Sequence, residues 1–236
     1  MNLEVSEKRK WIKLIFLGFA IFSLIILVMF ILAIIFYPGG NIKDHTTTNF
    51  NFLWNTMCDL GADLSLNGES NVVSQIFFRI GMILYLIIFI IFFSTLWLFF
   101  KEKKVTKILS SIGLILIVLA GVFYVGVICT IGMHPLHNTI LIFAPLFEFL
   151  AIILYTIIIF RDKRFLNLNR YTFLVMSILA ITYMILAISG ALVRGDFNLL
   201  VQRLGHTIFN FTISTCYVLQ GIGAYLSVKK MKGDLK

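Results

Sequence analysis

Long apolar runs alternate with short polar segments along this chain of 236 residues. Six runs are long enough to cross a hydrocarbon layer about 30 Å thick, because a helix rises about 1.5 Å per residue. The pattern therefore predicts an all-α fold, a polytopic transmembrane bundle of six helices that forms one domain. The predicted helices cover about residues 14–37, 74–100, 107–133, 138–160, 171–193 and 204–228, and a polar insert covers 38–73.

The composition favours a membrane protein over a soluble domain. Hydrophobic residues make up 60% of the chain, charged residues only 13%, and the mean hydropathy is +0.98. The first apolar run is longer than the core of a cleavable signal peptide, roughly 7–15 residues, so we expect it to be retained as a helix. The expected location is the cell membrane, which the chain would cross several times.

The basic residues behind the net charge of +9 are unevenly placed along the chain. Sixteen of the twenty Lys and Arg residues cluster at one set of helix ends, and only Lys43, Arg79, Arg194 and Arg203 lie toward the other. By the positive-inside rule, both termini are predicted to be cytoplasmic and the insert is predicted to face outward. Basic residues placed at helix ends favour membrane lipids, and not nucleic acid, as partners.

The histidines and several acidic residues fall on the predicted outer half. All four histidines lie there, and the insert contributes Asp59 and Asp63. This distribution predicts a shared outward pocket, although a wet surface would also be polar. Within the insert, the apolar residues Phe50, Leu53, Trp54 and Met57 have helical spacing, which predicts a short helix lying in the membrane interface.

Five residues are candidates for catalysis: Asp59, Asp63, His134, His137 and His206. His134 and His137 are three apart, a weak metal motif that needs a further ligand from Asp59, Asp63 or His206 to hold a divalent metal. The alternative is structural. The histidines would then cap the fourth helix, and Asp59 or Asp63 would cap the short helix.

Glu148 is predicted to lie near the middle of the membrane, where an unpaired carboxylate costs several kcal/mol. Arg79 is the nearest basic residue by depth, and Asn210 on the sixth helix could hydrogen-bond to Glu148. Arg203 and Asn210 share a polar stripe on that helix. Arg79, Glu148, Arg203 and Asn210 are therefore the predicted lining of a ligand pocket, although an Arg–Glu pair could equally fix the packing of two helices.

The chain resembles a known family through several short motifs. They are Tyr37-Pro38-Gly39, Cys58-Asp59-Leu60-Gly61, Asn67-Gly68-Glu69-Ser70-Asn71, His134, and Gln202-Arg203. The resemblance is to a prokaryotic six-helix membrane protein family, domain-of-unknown-function family 998, and more distantly to DRAM/Sfk/Frag-type membrane proteins. It implies six helices, an outward polar loop and a role around membrane lipids. Cys58 departs from the family pattern, which has Ser before the Asp.

Three functions are compatible with these patterns. The first is a protein that binds or positions a lipid or amphiphile in an outward polar pocket. The second is a metal-assisted intramembrane hydrolase or lipid-remodelling enzyme that uses the outer His and Asp residues. The third is a small transporter, which would need a polar path continuing past Glu148.

Overall fold

The computed structural model describes residues 3–131, 136–192 and 195–231. Within these ranges the chain forms six long α-helices and no β-strand, and each helix contains a span that is long and apolar enough to cross a membrane. The helices are α1 (Leu3–Ile35), α2 (Val72–Leu98), α3 (Lys104–Thr130), α4 (Leu136–Arg161), α5 (Asn167–Leu192) and α6 (Asp196–Lys230).

The six helices form a closed ring. Each helix packs against its neighbour in the chain, and α6 returns to pack against α1. The α1–α6 contact is close at Gly221, where an added Cβ would lie 2.7 Å from the backbone nitrogen of Ala20. Large apolar side chains on the outside of the ring are exposed, which suits contact with lipid tails.

Phenylalanines fill the half of the ring near the start of α1. Phe16, Phe92, Phe93, Phe100 and Phe165 are almost completely buried there. Their rings stack or meet edge to face, for example Phe16 and Phe92 with centroids 5.6 Å apart. This half of the bundle is therefore a solid aromatic core.

Residues 36–71 connect α1 to α2 and fold over the opposite end of the ring; we call them the cover. Inside the cover, a 3-10 helix runs from Met57 to Gly61 and packs against α2. Gly40 has a positive φ of 78°, and the backbone of Leu66 and Asn67 passes so close that a side chain would not fit.

Two local predictions were wrong in detail. The interfacial helix predicted around Phe50–Met57 is a turn followed by the 3-10 helix. The Asn51 side chain accepts a hydrogen bond from the Leu53 backbone N–H, and Asn55 accepts one from the Asn51 N–H, so asparagine side chains replace helical hydrogen bonds here. Also, α6 begins at Asp196, eight residues before the predicted start at about 204, so residues 196–203 are helical.

Candidate functional site

A cavity of about 70 Å³ lies inside the ring, directly beneath the cover. Helices α1, α2, α3, α4 and α6 supply its walls, and Met57 and Cys58 of the 3-10 helix close it from above. Most of the lining is apolar or aromatic, as in many small-molecule sites. The polar side chains that line it are Tyr85, Tyr124, Glu148, His206, Asn210 and Ser214.

Glu148 on α4 is buried and is held by three tyrosine hydroxyls from three other helices. Tyr85 of α2 donates to Glu148 Oε1 over 2.7 Å, and Tyr124 of α3 donates to Oε2 over 2.5 Å. Tyr217 of α6 donates to Oε1 as well. A carboxylate has about four acceptor positions, so one remains for a further donor.

The Arg79–Glu148 pair considered from the sequence does not form, because Arg79 contacts a different carboxylate. The Arg79 guanidinium lies 3.5 Å from Asp63 of the cover; the Arg79 side chain is partly exposed and that of Asp63 is exposed. Arg79 lies in the second turn of α2, six residues and therefore about 9 Å nearer the cover than Tyr85. Hydroxyl donors, not a cation, compensate the buried carboxyl group.

The wall formed by α6 carries polar atoms that have no partner among the described residues. His206 packs against the Tyr183 ring, with centroids 5.8 Å apart, and its Nδ1 is buried without a hydrogen bond. The Thr207 hydroxyl, on the same helix but outside the cavity lining, is also buried and without a partner among the described residues. Asn210 donates to the His206 carbonyl over 2.7 Å, which fixes its side chain beside the cavity.

Arg203 joins α6 to the cover. Its Nη1 donates to the Trp54 carbonyl over 2.7 Å and lies 3.9 Å from Asp59 Oδ2. Asp59 in turn accepts hydrogen bonds from the Thr56 backbone N–H at 2.7 Å and from Asn55 Nδ2 at 3.1 Å. Asp59 therefore caps the 3-10 helix, and Arg203 holds that helix over the cavity.

Two buried asparagines organise the rest of the cover. Asn55 Nδ2 also donates to the Gly40 carbonyl over 2.9 Å, and Asn71 Nδ2 reaches three carbonyl groups, including that of Ala62 at 2.9 Å. Tyr37 is buried beside them and accepts a hydrogen bond from the Leu66 N–H at 3.1 Å. These contacts make the cover a folded structure rather than a free loop.

Cys58 faces the cavity and is not poised as a nucleophile. Burial raises the pKa of the Cys58 thiol to about 12, and the nearby Asp59 carboxylate adds to the effect. Reactive cysteines have lowered pKa values, because the thiolate is the nucleophile. The side chain therefore contributes an apolar surface to the cavity roof.

The structure places the candidate metal ligands in separate surroundings. His137 is buried near the start of α4, with Nδ1 3.2 Å from the Thr130 hydroxyl, whereas Asp63 is exposed beside Arg79. His134 lies outside the described residues. Among the residues that are described, no group of three or more His, Cys, Asp or Glu side chains is arranged to hold one metal ion.

Sequence reasoning missed the three tyrosines around Glu148. Tyrosine usually lies at the membrane interface, where its hydroxyl meets water. Tyr85 lies near the centre of α2, far from either end, so its hydroxyl needed a partner inside the bundle. That unusual depth was the signal that could have identified the cluster.

Comparisons with protein-family models, with curated proteins and with solved structures found no match. What the site can do therefore follows from its own residues. It offers hydrogen-bond acceptors at Glu148, unpartnered polar atoms on α6, apolar walls and a closed roof.

Proposed function

We propose that the protein is a multi-pass membrane protein that binds a lipid or another amphiphile, whose polar group enters the central cavity beneath the cover. The observation that carries the proposal is Glu148, a buried carboxyl group at membrane depth that lines the cavity with one acceptor position left. Ionisable residues inside membrane spans commonly mark functional sites. A ligand that donates hydrogen bonds suits this position.

The size and lining of the cavity define the kind of ligand. A volume of about 70 Å³ holds a polar group of a few non-hydrogen atoms or a few water molecules, whereas pockets for whole drug-sized ligands span about 300–1,000 Å³. Apolar walls from Phe30, Phe78 and Leu141 suit an adjoining hydrocarbon segment. Together these features support an amphiphile with a small hydroxyl or amine head group.

The arrangement of charge supports an outward orientation for the site. The cover lies at the end of the bundle opposite the basic clusters, so the positive-inside rule assigns it to the non-cytoplasmic side and both termini to the cytoplasm. The resemblance to six-helix membrane proteins linked to lipids agrees with this proposal. The cell membrane is the proposed location.

The aromatic core favours binding over transport. Phe89 packs against both Tyr85 and Tyr217, with ring centroids 5.0 and 5.3 Å away, and is itself buried. Phe92 and Phe93 are also buried and extend this aromatic packing toward the end of the bundle where the basic residues cluster. A transporter would need to open this packing. The metal-assisted hydrolase stays an alternative prediction, which no arrangement of the described residues favours.

Native mass spectrometry of the protein in mild detergent tests the proposal, because it reports bound lipid and metal together. We expect a bound amphiphile on the wild-type protein and its loss from Glu148→Gln, which replaces an acceptor oxygen with an amide donor. Asn49→Ala, at an exposed position of the cover and away from the cavity lining, is the control that should retain it. Wild-type protein that carries bound zinc and no amphiphile would overturn the proposal in favour of the hydrolase.

A further inference from the structure

A second cavity, of about 620 Å³, lies at the opposite end of the bundle from the cover. The turn between α2 and α3 forms one wall, and the end of α4 with the residues after it forms the other. This cavity is separate from the central one and does not depend on the function proposed above. The charged residues that line it are Glu102, Lys103, Lys104, Arg161, Asp162, Lys163 and Arg164.

The acidic residues neutralise only part of this charge. Asp162 binds Arg164 through both carboxylate oxygens, at 3.1 Å from Nε and 2.8 Å from Nη2, and Glu102 lies 3.8 Å from the same guanidinium. Arg164 also donates to the Phe99 carbonyl, so this residue ties the two walls together. Both acidic groups of the cavity are therefore committed to one arginine.

Four basic side chains remain uncompensated. Lys103, Lys104, Arg161 and Lys163 are exposed and form no ion pair with any residue in the described ranges. The first turn of α3 adds to their field, because this helix begins at Lys104 and has no side-chain cap. A cavity with this balance of charge favours an anion with several oxygen atoms, such as a phosphate group.

The surroundings indicate that the phosphate belongs to a lipid. Val105 lines the cavity and is exposed, and Ile108 and Ile112 follow it at i+3 and i+7 on the same exposed face of α3. Trp97, whose ring lies 3.9 Å from Lys101 Nζ, is typical of the membrane interface at this level. An apolar stripe thus leads from the cavity along the membrane-spanning part of α3.

We propose that this cavity binds the phosphate-bearing head group of an anionic phospholipid, with an acyl chain lying along the exposed face of α3. Basic pockets between membrane helices can bind anionic head groups in this way. The lysines and Arg161 contact the phosphate oxygens, and Arg164, through its contacts with Phe99 and Glu102, keeps the two walls in register. Soluble phosphate would use the same basic groups but would gain nothing from the apolar stripe.

The test is a titration of the protein with lipid, in which native mass spectrometry measures the bound lipid. We expect phosphatidylglycerol to bind in preference to phosphatidylcholine. The double variant Lys103→Ala/Lys104→Ala should bind phosphatidylglycerol on the order of tenfold more weakly, because two cationic contacts are lost. The matched control, Lys229→Ala/Lys230→Ala, removes two exposed charges at the same end of the bundle but outside the cavity, and should bind as the wild type does.

The following results would overturn the proposal. Equal weakening by the two double variants would show a diffuse effect of charge, and equal binding of the two lipids would show no selection of anions. Displacement of phosphatidylglycerol by millimolar inorganic phosphate would show a site for the free anion. If Lys103→Ala/Lys104→Ala does not fold, Arg161→Ala/Lys163→Ala on the other wall must show the same selective loss, and unchanged binding there would refute the site.

Discussion

The cluster around Glu148 predicts a specific pattern of coupled stabilities. Tyr85, Tyr124 and Tyr217 each donate one hydroxyl hydrogen bond to its carboxyl group, and each comes from a different helix. Replacing Glu148 with Leu keeps a side chain of similar size but removes the acceptor of all three hydroxyls. The substitution therefore leaves three buried donors without their partner.

The expected magnitudes follow from the number of hydrogen bonds. A side-chain hydrogen bond in a membrane protein contributes about 0.6 kcal/mol on average and at most about 1.7 kcal/mol. Three bonds lost together should lower the free energy of unfolding of Glu148→Leu by about 2–5 kcal/mol. Each single Tyr→Phe substitution removes one bond and should lower it by about 1 kcal/mol.

The assay is unfolding by sodium dodecyl sulfate in mixed micelles, and circular dichroism measures the loss of helix. A double-mutant cycle isolates the coupling: in the Glu148→Leu background, Tyr124→Phe should have almost no cost, because Glu148 is the one acceptor that the Tyr124 hydroxyl has among the described residues. Tyr171→Phe is the control, since this tyrosine is exposed and, within the described part of the chain, makes a ring contact with Phe160 and no hydrogen bond. Equal costs of Tyr124→Phe in both backgrounds would refute the cluster.

Two further predictions concern the cover and the packing of the ring. With the other cysteines replaced by alanine, alkylation of Cys58 should accelerate about tenfold per pH unit from pH 7 to 9, because its pKa of about 12 keeps the reactive thiolate scarce. Arg203→Ala should speed that reaction by releasing the cover; a rate that levels off near pH 9, or no effect of Arg203→Ala, would contradict this. Gly221→Ala should lower the free energy of unfolding by about 1–3 kcal/mol, because its Cβ would meet the Ala20 backbone, whereas Gly18→Ala meets no atom within 4 Å and should be neutral. Equal stabilities of these two variants, measured by the same unfolding assay, would refute the close α1–α6 approach.

The six helices could be predicted because their signal is local. An apolar run of twenty residues indicates a span whatever its neighbours are. The order of the runs also shows which polar residues lie at the same end of the bundle, so their grouping near the cover could be predicted as well. Helix ends were harder, since Asp196 and the polar residues after it are compatible with either a loop or a helix. The bundle extends α6 through them, which places Arg203 within reach of Trp54.

The partners inside the site could not be predicted from the sequence. Glu148 had the right depth to need compensation, but depth alone did not distinguish Arg79 from a set of hydroxyls. The choice depends on how α2 is rotated and on Asp63 of the cover, which pairs with Arg79. The folding of the cover depends likewise on side chain–backbone hydrogen bonds from Asn71, whose acceptors are brought close only by the complete fold.

A variant that fills the central cavity tests the central claim most directly. Ser214 lines the cavity, whereas the next residue, Thr215, is exposed, so Ser214→Leu and Thr215→Leu add apolar bulk inside and outside the site. The measurement is the fraction of each purified protein that retains the co-purifying amphiphile in native mass spectra. We predict that Ser214→Leu loses the amphiphile and Thr215→Leu retains it; retention at wild-type stoichiometry by a folded Ser214→Leu protein would contradict binding in this cavity.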